Sequence, residues 1–160
     1  MKISQILRSV DVRNEDRLSL PLMGLSMEKY FIPSVANTIG SDMTKYKIIK
    51  SGQFAANFIH VGRDGKVPIA LYEGSGSLVS SAYYIFEVKD INTTLPEYLM
   101  LKFKNPEFDR EATFYASVGI RGGLELDDFY NLEFNIPPIE EQRKIVEQYQ
   151  TIERRIKNNE

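Results

Sequence analysis

The sequence predicts an α+β domain: a curved mixed or antiparallel sheet with flanking helices, followed by a projecting C-terminal helix. Three observations predict it. Four short runs rich in β-branched and aromatic residues, 46–50, 53–59, 67–72 and 83–88, are punctuated by Gly52, Gly62, Gly65, Gly74 and Gly76, the spacing of a strongly bent sheet. Two helix starts follow, at 94–97 and 105–106. Pro137 and Pro138 then end whatever precedes them, because neither can donate to a ladder. A charged helix starts at or just after Pro138.

Taken in order, Ile3, Ile6, Leu7 and Val10 fall at helical spacing and predict a short amphipathic opening helix. Residues 11–19 are charged and aperiodic, a loop. Pro21 and Gly24 within the apolar stretch 20–31 predict one or two short strands and a turn. The small, polar stretch 33–44 reads mostly as loop, with at most one turn of helix. Ser51-Gly52 and Arg63-Asp64-Gly65 read as turns, glycine supplying positive φ, and Glu73-Gly-Ser-Gly-Ser77 as a hairpin connection. Thr94-Leu-Pro-Glu97 matches a capping box, with Leu95, Tyr98 and Leu99 as the apolar face of its helix. Asn105-Pro106 stops that helix and caps the next, whose inner face is Phe108, Ala112 and Tyr115. Residues 117–123 form a glycine-rich loop centred on Arg121, 126–130 a short helix and 132–136 a last strand.

The final helix carries Glu140 and Glu141 in its first turn and Arg154, Arg155 and Lys157 in its last turns, matching the helix macrodipole at both ends. Ile145, Tyr149, Ile152 and Ile156 recur at intervals of four, three and four, a narrow seam of the kind one helix offers another. Eighteen or so residues reach roughly 27 Å, too long for a domain this small to cover. The seam is expected to meet a partner helix, in another chain or in a continuation; the plainer alternative folds the helix back on its own core. The expected organisation is a body over 1–136 and the start of the projecting helix over 137–160.

One hundred and sixty residues, 42% apolar and 26% charged, fit one soluble domain with a real core. No apolar run approaches the length of a membrane helix, and the N-terminus is charged too early for a secretory signal. With zero cysteines there are no disulfides and no thiolate metal sites, and the expected location is the cytoplasm. His60 is the only histidine, without a carboxylate cluster beside it, which leaves neither a metal-ligand set nor a histidine-based triad. Residues 73–77 lack the lysine of a phosphate-binding loop. No glycine-rich element for S-adenosylmethionine is present, and no cofactor is expected on this chain. One enzymatic pattern exists: Asp64 followed by Glu87-Val-Lys89 resembles the Asp…Glu-x-Lys set of metal-dependent nucleases. Glu-x-Lys recurs on any exposed strand edge, however, and no proline precedes Asp64.

Net charge is −2, but residues 42–71 hold five cations (Lys45, Lys47, Lys50, Arg63, Lys66) against Asp42 and Asp64. A locally basic segment on an acidic body can meet phosphate with one face. Asn57, His60, Arg63 and Lys66 lie in and beside one turn, and Tyr115, Ser117 and Arg121 in another. These side chains match the donor needs of base edges and phosphates: arginine to guanine, asparagine to adenine, lysine and serine to backbone oxygens. Glycines 119, 122 and 123 let the backbone around Arg121 approach closely.

Five stretches, in register over 1–156, carry a family resemblance. Tyr46-Lys-Ile-Ile-Lys-Ser-Gly-Gln-Phe is similar to the "Y-x-I-V-x-x-G-D-F" element of Type I restriction–modification recognition domains, and Ser80-Ser-Ala-Tyr83-Tyr-Ile-Phe resembles their "V-S-P-A-Y-x-V-F" strand, Ser81 replacing proline. Leu95-Pro-Glu-Tyr-Leu99 and Asn105-Pro-Glu-Phe108 resemble the paired helix starts. Val118-Gly-Ile-Arg121 with Leu124 and Asp127-Asp-Phe129 resembles "G-x-x-R-x-x-L-x-x-D-D-L", and 137–146 resembles the junction with the spacer helix. The resemblance is to the specificity subunits (HsdS) of these systems. It implies a non-catalytic chain with a single target recognition domain (1–136) and the start of a spacer helix (137–160), half of a subunit that normally has two such domains. The implied partners are double-stranded DNA, a modification subunit that carries S-adenosylmethionine, and a restriction subunit. Pairing through Ile145, Tyr149, Ile152 and Ile156 with a second copy or a second half-subunit is expected. The expected base contacts are Arg63 and Arg121, with Asn57, His60, Lys66 and Tyr115 nearby and Lys45, Lys47 and Ser117 on phosphate. The runner-up reading is an interaction module that docks on modification subunits without reading DNA.

Overall fold

The computed structural model describes residues 1–34, 42–119 and 121–159. The chain runs α1 (Ile3–Ile6), β1 (Leu7–Val10), β2 (Met23–Leu25), β3 (Phe31–Pro33), β4 (Lys47–Ile49), β5 (Phe54–Ala56), α2 (Val61–Asp64), β6 (Ile69–Leu71), β7 (Ser77–Val79) and β8 (Tyr84–Val88). Four helices follow: α3 (Pro96–Lys104), α4 (Pro106–Ser117), α5 (Leu126–Asn131) and α6 (Ile139–Asn158). The main sheet has the order β1-β8-β5-β6, antiparallel at each pairing. Two small antiparallel ribbons, β2–β3 and β4–β7, are tied together by a parallel bridge between Leu22 and Leu78.

The alternation of side chains along a strand decides the layering. Leu7, Phe54, Ala56, Ile69, Phe86 and Val88 point to one face of the main sheet and pack with Leu99, Phe103, Phe108, Ala112 and Phe129 from the helices. Ala55 and Ile85 point the other way and form a second, smaller core with Ile49, Tyr72 and Val79. The protein is thus an α+β fold with helices on one face of an antiparallel sheet and ribbons on the other. Phe103 stands at the centre of the helical layer, with ring centroids 5.5 Å from Phe54, 5.0 Å from Phe108 and 6.1 Å from Phe129.

Several expectations are corrected. The opening helix ends at Ile6; Leu7–Val10 is a strand, registered from Leu7 opposite Val88 to Val10 opposite Ile85. Pairing along the edge of β8 outweighs a helical spacing that four residues cannot stabilise alone. Residues 73–77 are no hairpin: they carry the chain from β6, paired with β5, to β7, paired with β4. The stretch 132–136 forms only a bridge from Glu133 to Lys2. The proposed capping box does not form, since Leu95 is the N-cap of α3 and no side chain of its own caps it. On α4, Ala116 is buried and Tyr115 is 42% exposed, because α2 packs against this side and only small residues admit it. Asn105 does cap α4, its side chain accepting from the Glu107 N–H at 3.0 Å. In the stretch 33–44, Met43–Lys45 form a single 3-10 turn; the expectation for 35–41 lies outside the described residues, as does Ile120.

The start of α3 is instead held from α6. Gln142, fully buried, accepts from the Leu95 N–H at 2.9 Å and donates to the carbonyls of Thr93 and Pro137 at 2.8 Å each. One amide satisfies three main-chain groups from two segments, so the root of α6 is fixed to the body. Beyond it the helix leaves the body. Ile145 and Val146 are partly covered, and residues 147–159 are exposed throughout.

Candidate nucleic-acid interface

The two glycine-flanked loops come together. Asn57 to Lys66 leave the end of β5, make the single turn α2 and return to β6; the second loop follows α4. Their junction is main chain on main chain: Gly62 N–H donates to Gly122 O at 2.8 Å, and Leu124 N–H to Phe58 O at 2.8 Å. A Cβ on Gly62 would lie 2.7 Å from Gly122 O, and one on Gly123 3.3 Å from the carbonyls of Phe58 and Ile59. Side chains are excluded from the junction, which leaves the neighbouring ones free to face outward. Gly65 closes α2 in the left-handed conformation, φ 69°.

Around this seam the polar residues differ in how free they are. Arg121 is exposed and makes no hydrogen bond or ion pair among the described residues. Arg63 projects with its side chain 69% exposed, but its Nε donates to Asp64 at 2.9 Å. That hydrogen bond holds the Asp64 carboxyl below its ordinary range and raises the guanidinium. His60 is exposed at the N-cap of α2. Asn57 is partly engaged, its Oδ1 accepting from Ile59 N–H at 3.1 Å. Lys66 reaches Glu28 at 3.4 Å, an exposed and weak pair. Tyr115 stands at the end of α4, its ring edge-on to Phe114 at 5.4 Å. The Ser117 hydroxyl donates back to Phe114 O at 2.9 Å.

Residues 25–160 match the family described as the Type I restriction modification DNA specificity domain. The chain belongs to that family. Two solved structures share its fold. One, described as the structural basis underlying complex assembly and conformational transition of the type I R-M system, gives a TM-score of 0.60 at 14% identity, covering 99% of this chain and 38% of that one. The other, the crystal structure of the HsdS subunit from Thermoanaerobacter tengcongensis, gives 0.57 at 12% identity with the same coverage, 99% and 38%. The chain therefore spans a little over a third of the length of the solved structures it matches. No curated protein matches the sequence.

Within this specificity domain, other sequence-derived candidates fall elsewhere. Lys47 is buried in β4, its ammonium donating to Tyr83 O at 2.6 Å and lying 5.7 Å from the Tyr84 ring centroid. Burial pushes its pKa down against the pull of Asp11. This corrects the expectation that it reaches phosphate: the charge is turned inward. Lys45 is exposed, two residues before β4 of the ribbon layer. Asp64, Glu87 and Lys89 each have separate partners. Glu87 accepts from Arg8 at 2.9 Å and Gln53 at 3.3 Å, Lys89 donates to Ser4 O at 2.7 Å, and Asp64 holds Arg63. Tyr84 at the start of β8 is the residue opposite Ala56, which leads to α2, whereas Glu87 and Lys89 lie toward the strand's other end. No group of three metal-ligating side chains occurs among the described residues, and no helix there is long and apolar enough to cross a membrane.

Sequence reasoning missed the residues that fix the first loop. Asp109 on α4 is buried; one of its oxygens accepts from the Val67 N–H at 3.0 Å and from Lys29 Nζ at 2.8 Å. Lys29 takes a left-handed φ of 69° in the β2–β3 turn, a conformation that costs a non-glycine residue of the order of 1 kcal/mol, and burial lowers its pKa against the hydrogen bond it donates to Asp109. The only signal in sequence was an acidic residue in the first turn of α4, which the helix macrodipole explains equally well. Gln142 lies within the 137–146 motif, where nothing local marks it out. Of the seam on α6, Ile145 is partly buried, Tyr149 is 36% exposed with Lys104 Nζ 5.3 Å from its ring centroid, and Ile152 and Ile156 are 55% and 58% exposed.

Proposed function

We propose that this chain reads DNA sequence as one half of a specificity subunit, directing a Type I restriction–modification assembly to its target. Residues 1–136 are the recognition domain and 137–160 the start of a spacer helix. The observation that carries the reading is the seam of Gly62 and Gly122, which assembles two loops through main chain and leaves Arg121, Arg63 and His60 exposed, with the half-buried Asn57 beside them. Donors of this kind on glycine-bordered loops fit the hydrogen-bonding edges of bases, and Lys66 and Ser117, on giving up their contacts with Glu28 and Phe114, supply donors to backbone phosphates. The chain has no catalytic role in this reading. Methyl transfer, with S-adenosylmethionine, belongs to a modification subunit, and cleavage to a restriction subunit. The exposed seam of Tyr149, Ile152 and Ile156 beyond the rooted Ile145 pairs with a helix of a second copy or a second half-subunit.

The test is enrichment of bound duplexes from a random pool, with and without modification subunit. The reading expects one sequence to emerge, with affinity falling steeply as salt rises. A pool that stays random under both conditions, while the chain still binds modification subunit, supports a docking module that does not read DNA. Mg²⁺-dependent cleavage by the purified chain would revive the nuclease alternative.

A further inference from the structure

Beside the two loops lies an apolar edge that the hydrogen-bonding residues do not account for. Phe114 is 62% exposed, Val118 71% and Ile59 48%. Phe114 and Val118 are one turn apart on the same helical face. Ile59 is linked to them through the glycines: its carbonyl lies 3.3 Å from the Cβ position of Gly123, and the Gly123 carbonyl lies 3.8 Å from the Cβ position of Gly119, the residue after Val118. Single exposed apolar side chains are ordinary, but three large ones grouped at one edge mark a surface that is covered in use.

The surroundings choose the occupant. His60, Arg63 and Arg121 border the edge, Asp64 is already tied to Arg63, and on α4 Glu107 is engaged by Arg110 and Asp109 by Lys29. Glu111, one turn before Tyr115 on α4, and Glu125, the residue after Leu124, are also exposed. An apolar edge fringed by guanidinium groups fits a polyanion whose interior offers small apolar projections. In the major groove that projection is the C5-methyl group of thymine, flanked by phosphates.

Resting on the DNA-reading function proposed above, we infer that Phe114, Val118 and Ile59 are specificity-determining residues that read thymine methyl groups in the target. The probe is the enriched duplex resynthesised with deoxyuridine in place of thymine, one position at a time, which removes the methyl and leaves every hydrogen-bonding group. Loss of one buried methyl is expected to weaken binding about fourfold at one or two positions. The Phe114→Ser/Val118→Ser double variant, substituted at exposed sites and checked for an unchanged thermal melt, should bind thymine and deoxyuridine duplexes alike. Ile59→Ser should blunt the difference at a single position. The inference is overturned if wild type ignores every deoxyuridine substitution, or if the enriched target carries no thymine. It is also overturned if the double variant stays as methyl-sensitive as wild type, or loses modification-subunit binding while its methyl sensitivity is unchanged. A chain that selects no duplex at all removes the DNA-reading function as well; one that selects sequence but not the methyl removes only this inference.

Discussion

The root of α6 and the seam between the two loops are both held by hydrogen bonds to main-chain groups, yet they place opposite demands on side chains. At the root one side chain, Gln142, serves Leu95, Thr93 and Pro137, and no other residue offers an acceptor and two donors in that geometry. At the seam Gly62 bonds Gly122 and Leu124 bonds Phe58, main chain to main chain. The residues between them, Asn57, His60, Arg63 and Arg121, contribute little or nothing to holding it. The root fixes what a residue must be, whereas the seam fixes where residues stand and leaves their chemistry open. A surface that must read different sequences needs the second kind of construction.

The largest effect is expected where the contrast can be broken outright. Gln142→Leu leaves a buried N–H and two carbonyls unpaired; at about 1 kcal/mol or more each, stability should fall by about 3 kcal/mol. Tm should then drop by roughly 6–12 °C, with α6 amides near the root exchanging faster. Next is Gly62→Ala, whose Cβ would meet Gly122 O at 2.7 Å. Overpacking against backbone should cost about 1–3 kcal/mol, and hydrogen exchange at Gly62 and Leu124 should accelerate together. Arg121→Ala sharpens the contrast from the other side. It should leave the melt within about 0.5 kcal/mol of wild type and cost about 1–3 kcal/mol in discrimination at one base position, read by competition with single-base variants of the enriched duplex. The smallest effect belongs to neither region. Glu87 is held below the ordinary carboxylate range by the Arg8 hydrogen bond, with Gln53 adding to it. A lowered folded pKa means its contribution is complete above about pH 4.5 and lost as pH falls through the folded value. On this exposed strand pair it should amount to about 0.2–1 kcal/mol, and Glu87→Gln should flatten that part of the acid limb of the stability curve.

What could be read from sequence divides along the same line. Local devices were legible: the double proline before α6, Asn105 between α3 and α4, and the glycines of both loops each act within a few residues of themselves. The rest depends on distant partners. Leu7–Val10 has helical spacing and becomes a strand because β8, nearly eighty residues later, offers it an edge. The short strand Ser77–Val79 carries no period long enough to see. Lys47 reads as a surface cation until the fold sets Tyr83 O beside its ammonium. Gln142 reads as one more polar residue on a charged helix, because its partner Leu95 lies 47 positions earlier. At the site, sequence grouped the polar donors of each loop but could not show that the loops touch. Nor could it show that Phe114 and Val118 share their edge.

The carboxylate of Asp109 ties three parts of the chain to one atom group: the turn carrying Lys29, the link at Val67 that follows α2, and α4 itself. The ribbon β2–β3 therefore cannot swing away from the sheet without stripping a buried ion of its counter-charge. Nor can the segment bearing Arg63 and Lys66 drift along α4 without releasing the same anchor. A force applied to the ribbon from outside would reach the two loops as a displacement rather than fade in a flexible hinge.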